Sequence, residues 1–238
     1  MTVPQGEGMP KGEGLPQGAE KARAVRSMFD AIAPRYDLVN RVMTFRMDVG
    51  WRRRTIRELS LPRGARVLDL ACGTGDFCRE LTQRDLMPIG VDFSWGMLAA
   101  ARTDAPLVQG DALCLPVPNR SVDGVTCGFA LRNFVELEPF FSELARVVRP
   151  GGRIALLEVA EPANPILRTG HRAYFGKVVP VIGKLLSDGA AYRYLPKSVA
   201  YLPSPDAMLR MIEVTGFRDV QRILLSGGIT QLIVGTRE

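Results

Sequence analysis

The stretch VLDLACGTGDF, Val67 to Phe77, sets Gly73 and Gly75 where an apolar run gives way to a helical pattern. Glycine at that junction lets the backbone approach a ligand closely and leaves amide donors free at a helix N-terminus. Asp92 closes the next apolar run, where an acid can accept both hydroxyls of a ribose. Asp111 closes a third, in QGDALCLP, and with the backbone of Ala112 it can bind an exocyclic adenine amine. At the carboxyl ends of successive strands these groups outline a nucleoside site. A dinucleotide is disfavoured, because Cys78 stands where G-x-G-x-x-G needs its third glycine and Asp76 would face a pyrophosphate. A sulfonium with an amino-acid tail suits the acids better, having no diphosphate charge to neutralise. For the glycines alone, a tight turn with no ligand is the plain alternative. Farther on, GFALRNF puts Arg132 and Asn133 directly after another apolar run, where so polar a pair needs a reason.

These groups require strands that end together. Beyond Pro62 short apolar runs at 66–71, 88–93, 107–110, 122–128 and 153–159 alternate with helical patterns, clearest over 137–148, which RPGG then ends. The segment 217–236 reads as a hairpin around Gly227 and Gly228. The fold class is α/β: one Rossmann-like domain, a mostly parallel seven-stranded sheet with helices on both faces and an antiparallel last strand. Before it, a helix from Glu20 carries Val25, Met28, Phe29 and Ile32 on one side and stops before Pro34. A second helix is expected to bury Leu38, Val42, Phe45, Val49, Ile56 and Leu59, with Arg46, Arg53, Arg54 and Arg57 opposite. That basic face is either solvated or in contact with anionic lipid. Residues 1–19 repeat a G-E-G-x-P unit with little apolar bulk, so a disordered tail is expected there and a single domain over 20–238.

Composition removes several classes. The four cysteines lack C-x-x-C spacing and His171 is the single histidine, so no metal site is expected. Ser94 in VDFSWGM lacks the first glycine of a hydrolase G-x-S-x-G. The net charge of +6 favours anionic surfaces, yet aromatics make up only 7%, which argues against nucleic acid. No export signal or membrane-spanning run is evident, so a cytoplasmic protein with reduced thiols is expected.

LDLACGTGD, GVDFS, the Asp111–Ala112 pair and RVVRPGG resemble the hallmarks of class I S-adenosylmethionine-dependent methyltransferases. FDAIAPRYDLVN, GFALRNF, VVRPGG and SDGAAYRYLPKSV resemble more closely the menaquinone and ubiquinone biosynthesis C-methyltransferases, a likeness running from about Glu20 to the C-terminus. The resemblance implies S-adenosyl-L-methionine as cofactor, with Asp69, Gly73, Thr74, Gly75, Asp92, Asp111, Ala112 and Gly128 around it. It also implies methyl transfer to a ring carbon of demethylmenaquinol. A polyprenyl methoxybenzoquinol or a non-quinone small molecule are the alternatives.

For a quinol acceptor, Arg132 can stabilise the oxyanion that makes the ring carbon nucleophilic, and Asn133 can orient the ring. A salt bridge from Arg132 to Asp123 or Glu158 that pins a loop is the competing role. Arginine is a poor base, so the proton acceptor stays open among water, Asp76, Tyr36 and His171. Segment 163–203, apolar, aromatic and basic, is expected to cap the acceptor pocket, or else to cover a sheet edge. The expected partners are a polyprenyl quinol and a membrane surface, met peripherally and reversibly at the inner face of the cytoplasmic membrane through Arg53, Arg54 and Lys184. A homodimer is an option.

Overall fold

The computed structural model describes residues 17–186 and 198–238. Most of the expected tail, the larger part of the SDGAAYRYLPKSV block at 187–197 and the Lys184 side chain lie outside that description. Seven strands form one sheet: β1 (Arg66–Leu70), β2 (Met87–Asp92), β3 (Leu107–Gln109), β4 (Val122–Gly128), β5 (Val148–Val159), β6 (Phe217–Leu225) and β7 (Thr230–Arg237). Their order is β3-β2-β1-β4-β5-β7-β6. The first five pair in parallel and β7 is antiparallel to both its neighbours, so the 217–236 hairpin does belong to the sheet that holds Asp69. Chain order reverses at β1, which opens a crevice above the carboxyl ends of β1 and β4, the usual ligand position in such sheets.

Alternation along the strands splits the core into two layers. Val67, Ala155, Leu157, Leu232 and Val234 face α3 (Met47–Leu59) and α4 (Asp76–Thr82), packing on Ile56, Leu59, Phe77 and Leu81. Their neighbours Leu68, Leu70, Ile154, Leu156 and Ile233 face α6 (Leu137–Val147) and α9 (Pro205–Val214), packing on Phe140, Phe141, Leu144, Met208 and Ile212. Both faces are therefore apolar, which is why these strands read as continuous apolar runs.

A third cluster lies outside the sheet. There α1 (Gly18–Ile32) and α2 (Tyr36–Met43) contribute Phe29, Ile32, Val39 and Met43. From the 163–203 segment come Tyr174, Phe175, Val179 and Ile182, carried by α7 (Pro165–Ala173), a π-helical turn and α8 (Val179–Leu186). Asn164 starts α7 by accepting the N–H groups of Ile166 and Leu167 at 2.9 and 3.3 Å. A short helix, α5 (Trp95–Ala99), follows β2. Among the described residues no helix is long and apolar enough to cross a membrane.

Two expectations are corrected. The single second helix is two, α2 and α3, broken where Phe45 and Arg46 take left-handed conformations with φ of 50° and 61°. Leu38, Val42 and Phe45 consequently point to solvent while Ile56 and Leu59 are buried. The RPGG segment does not lie after a helix in a turn: α6 stops at Val147, and Arg149 to Gly152 are already part of β5, beside a register shift at Val122/Gly124.

Candidate active site

The loop after β1 turns through left-handed Gly73 (φ 56°) and Gly75 (φ 82°) before α4 begins. At Gly75 a Cβ would come within 2.6 Å of Thr103, so both conformation and space demand glycine. The turn aims the Gly73 N–H at Asp92 Oδ2, 2.7 Å away, while Ser94 N–H reaches Oδ1 at 2.8 Å. Asp92 is thus fixed by backbone amides on both oxygens, with lone pairs left for ribose hydroxyls. Burial raises its pKa, against the lowering effect of those N–H donors. Asp111, in the turn after β3, accepts Leu113 N–H at 2.9 Å by one oxygen, Oδ1.

A cavity opens above these groups. Of the residues singled out from the sequence, Tyr36, Gly73, Asp92, Asp111, Ala112, Gly128 and Asn133 line it. Asp69, Thr74, Gly75 and Arg132 do not. Asp69 lies beneath the loop, its carboxyl accepting Thr126 Oγ1 at 2.9 Å and Cys78 Sγ at 3.6 Å. Burial pushes its pKa up to about 7. The Thr74 hydroxyl donates to Asp37 of α2, and Gly75 is the cap of α4.

Arg132 makes the ion pair to Glu158 on which its competing role rests, with its Nε buried and without a partner among the described residues. It and Glu158 are 6% and 0% exposed, and the Arg132 guanidinium donates to Glu158 Oε1 while its own N–H reaches Oε2 at 3.2 Å. Glu158 also accepts Val159 N–H at 2.8 Å. This pair holds the 3₁₀ turn Leu131–Asn133, and the turn carries Asn133 to the cavity. There the Asn133 Oδ1 is buried with no partner among the described residues. A bare carboxamide acceptor beside the apolar Phe129, Phe134 and Val135 of the wall points to a ligand donor.

Of the side chains considered as proton acceptors, only Tyr36 reaches the wall. Burial raises its pKa, so it is a phenol at neutral pH and a hydrogen-bond donor. The Asp76 carboxylate is committed to Arg52 at 2.6 Å, to Arg79 and, more loosely, to Arg41 at 3.7 Å. His171 stacks on Phe175 in the outer cluster.

The roof is what the sequence reading missed. Ala22, Val25, Arg26 and Phe29 of α1 cover the cavity, and no described residue of 163–203 lines it. Two contacts fasten this helix down. Lys21 Nζ donates to the Phe134 carbonyl at 2.5 Å under the Tyr201 ring, and Asp30 accepts from Ser94 Oγ and Gly96 N at 2.6 and 2.8 Å. Phe93, the residue after Asp92, presents its ring to the cavity with the Arg26 guanidinium 5.0 Å from its centre.

Among the described residues Arg26 is the one cation on the wall, against two carboxylates, so the wall does not favour a diphosphate. The wall fits a nucleoside whose charged end is a sulfonium amino acid. With the switch-point crevice and the reversed last strand, this defines a class I S-adenosylmethionine-dependent methyltransferase. Comparison with known proteins agrees. The profile of the ubiE/COQ5 methyltransferase family matches residues 17–237, and the chain belongs to that family; its cofactor is S-adenosyl-L-methionine. A demethylmenaquinone methyltransferase of Deinococcus radiodurans is 44% identical over 228 residues, covering 92% of this chain and 94% of that protein. A ubiquinone/menaquinone biosynthesis C-methyltransferase of Syntrophotalea carbinolica is 41% identical over 221 residues, covering 89% and 93%. Among solved structures, a SAM-dependent methyltransferase of Thermotoga maritima superposes with TM-score 0.62 at 17% identity, covering 90% of this chain and 99% of that one, a likeness of fold.

Proposed function

We propose that this protein methylates a ring carbon of demethylmenaquinol. The reading rests on the relatives' activity and, in the molecule itself, on one observation: the unpartnered Asn133 carboxamide oxygen beside Phe129, Phe134 and Val135 on the cavity wall. The bound cofactor supplies an electrophilic methyl group on a sulfonium. The protein's own work is positioning. Asn133 accepts a hydrogen bond from the quinol hydroxyl next to the reacting ring carbon, and the apolar side chains beside it hold the ring. Gly128, on the cavity wall, packs directly on the buried Phe77 ring, from which a Cβ would sit 2.6 Å away. Tyr36 donates from its protonated phenol, and α1 excludes water. Arg132 is a positioning residue acting through the turn it pins to Glu158. The ring proton leaves to water.

The acceptor carries a polyprenyl tail and sits in lipid, so the protein meets the cytoplasmic membrane peripherally and reversibly. Arg53 and Arg54 pair with Glu80 at 3.2 Å and Glu58 at 2.6 Å, as a solvated helix face does. The test is single-turnover methylation by purified protein of demethylmenaquinol beside a methoxybenzoquinol of equal tail length. Asn133→Leu should slow methyl transfer to the naphthoquinol by roughly tenfold while cofactor affinity stays unchanged. Preference for the benzoquinol, or a wild-type rate in a folded Asn133→Leu protein, overturns the assignment.

A further inference from the structure

Helix α2 is apolar on two sides. Val39 and Met43 turn inward to the outer cluster, which leaves no core for Leu38, Val42 and Phe45. Leu38 and Val42 lie one above the other at i and i+4, Phe45 stands just past the helix end in the left-handed turn, and the three are 56%, 40% and 71% exposed. The adjoining π-helical turn and α8 add Val178 and Val181, also exposed, and Phe45 lies 5.9 Å from the Tyr174 ring that joins the two elements. A surface helix normally keeps its outer face polar, so an apolar outer face marks a docking surface.

Its charge identifies the occupant. Arg41, between Leu38 and Val42 in the sequence of α2, is held only loosely, 3.7 Å from an Asp76 carboxylate already bound by Arg52 and Arg79. Arg46 follows at the start of α3, exposed, its guanidinium making no hydrogen bond or ion pair among the described residues. Lys177 is exposed beside Val178. The acids of this region are already taken: Asp37 by Thr74, and Asp48 by Thr44 at 2.6 Å and Arg52 at 2.5 Å. The face is therefore apolar in the middle and basic at the rim.

We infer that the outer face of α2, with the Thr44–Arg46 turn, docks into an anionic phospholipid bilayer. Leu38, Val42 and Phe45 enter the acyl boundary, and Arg41, Arg46 and Lys177 meet headgroup phosphates. The left-handed turn at Phe45 and Arg46 makes this arrangement. A continuous helix would carry both residues on around the cylinder, whereas the break projects the phenyl ring and the guanidinium from one corner. Helix α2 also begins at Tyr36, on the cavity wall, so one short helix joins the lipid-facing surface to the site. The inference rests on the reading that the acceptor is dissolved in lipid.

The test is sedimentation with vesicles of phosphatidylglycerol and phosphatidylcholine, and with phosphatidylcholine alone. Wild-type protein should bind the anionic vesicles at least tenfold more tightly, weakening as salt is raised to about 0.5 M. The combined Leu38→Gln, Val42→Gln, Phe45→Asn variant should lose about tenfold or more in affinity, and Arg46→Glu severalfold. These residues are exposed, so folding is checked by protection against heat on adding S-adenosylmethionine. Phe45→Trp, a conservative change, supplies a second readout: its emission should shift to the blue when vesicles are added. Wild-type-like binding by the triple variant, no binding by the wild type, or no shift from Trp overturns the inference. So does a dimer that the triple variant dissociates while vesicle binding persists, which would make the face a contact between copies. Methylation of a quinol without a tail, in buffer without lipid, separates this from the acceptor reading. The triple variant should keep that rate and lose activity on long-tailed quinol in vesicles. Failure of the wild type on the tail-less quinol would count against the acceptor and not against docking.

Discussion

At the end of the cavity formed by β2 and β3, the carboxylates are bound by backbone N–H groups: Asp92 by Ser94 beside it and by Gly73 in the loop of the neighbouring strand, Asp111 by Leu113 two residues on. At the end formed by the turn after β4, the wall is held by side chains reaching across long stretches of sequence. Arg132 is pinned to Glu158, 26 residues on, and Lys21 to Phe134, 113 residues away. The cofactor end is thus built mainly from the loops that follow neighbouring strands, and its carboxylates are held by main-chain N–H groups that a side-chain substitution does not remove. The acceptor end exists only once the whole molecule has packed. One end of the site can stay constant while the other is reshaped.

The hardest blow to this contrast is Glu158→Ala. Removing a fully buried carboxylate strands the Arg132 charge and should destabilise the protein by about 3–5 kcal/mol, lowering the melting temperature by roughly 6–20 °C. Adding Arg132→Met should recover part of that loss, because the uncompensated charge goes with it. A loss below about 1 kcal/mol would mean that the pair does not hold the turn. Asp92→Ala should act on the other end alone. Cofactor affinity measured by calorimetry should fall by about 10²-fold, the scale of losing charged hydrogen bonds to a ligand, with only a modest loss of stability. Unchanged affinity would remove the carboxylate from the site.

The smallest effect is expected at Asp69, an acid at the cofactor end that lacks backbone donors. Its pKa of about 7 in the folded protein lies above the value near 4 of the unfolded protein, so the native state holds a proton that the unfolded state has lost in between. That contribution to stability is complete below about pH 4 and disappears as pH rises through 7. Asp69→Asn removes the titration. Between pH 5 and 8 the wild type should therefore lose roughly 5–10 °C in melting temperature relative to the variant. A constant gap across that range would mean that the carboxyl does not titrate there.

The same division decides what can be read from residues alone. β1 to β4 and the carboxylates closing β2 and β3 follow from apolar runs and their end points, because periodicity and turn chemistry are local. Phe93 is within reach for the same reason, being next to Asp92. The α1 roof is not: the pattern of Val25, Phe29 and Ile32 shows an amphipathic helix but not what it covers. The α2–α3 break carries no warning, since Phe and Arg rarely take the left-handed conformation and neither glycine nor asparagine marks it. Arg132 stands out for its chemistry. Its commitment to Glu158 depends on β4 and β5 lying side by side, which fixes where the polar ends meet.

The two outermost strands of the sheet differ from those within. β3 is three residues long, and β6 carries one extra residue between Arg218 and Gln221 opposite β7, with Asp219 at φ 52° and an exposed Arg218–Asp219 pair 3.0 Å apart. Neither side of the sheet therefore offers a long, flat row of free amide and carbonyl groups on which another molecule could add a strand. The bulge in β6 acts as a guard against fibrous self-assembly. Deleting Asp219 would straighten that border and leave a protein whose fold is intact but whose copies aggregate through it.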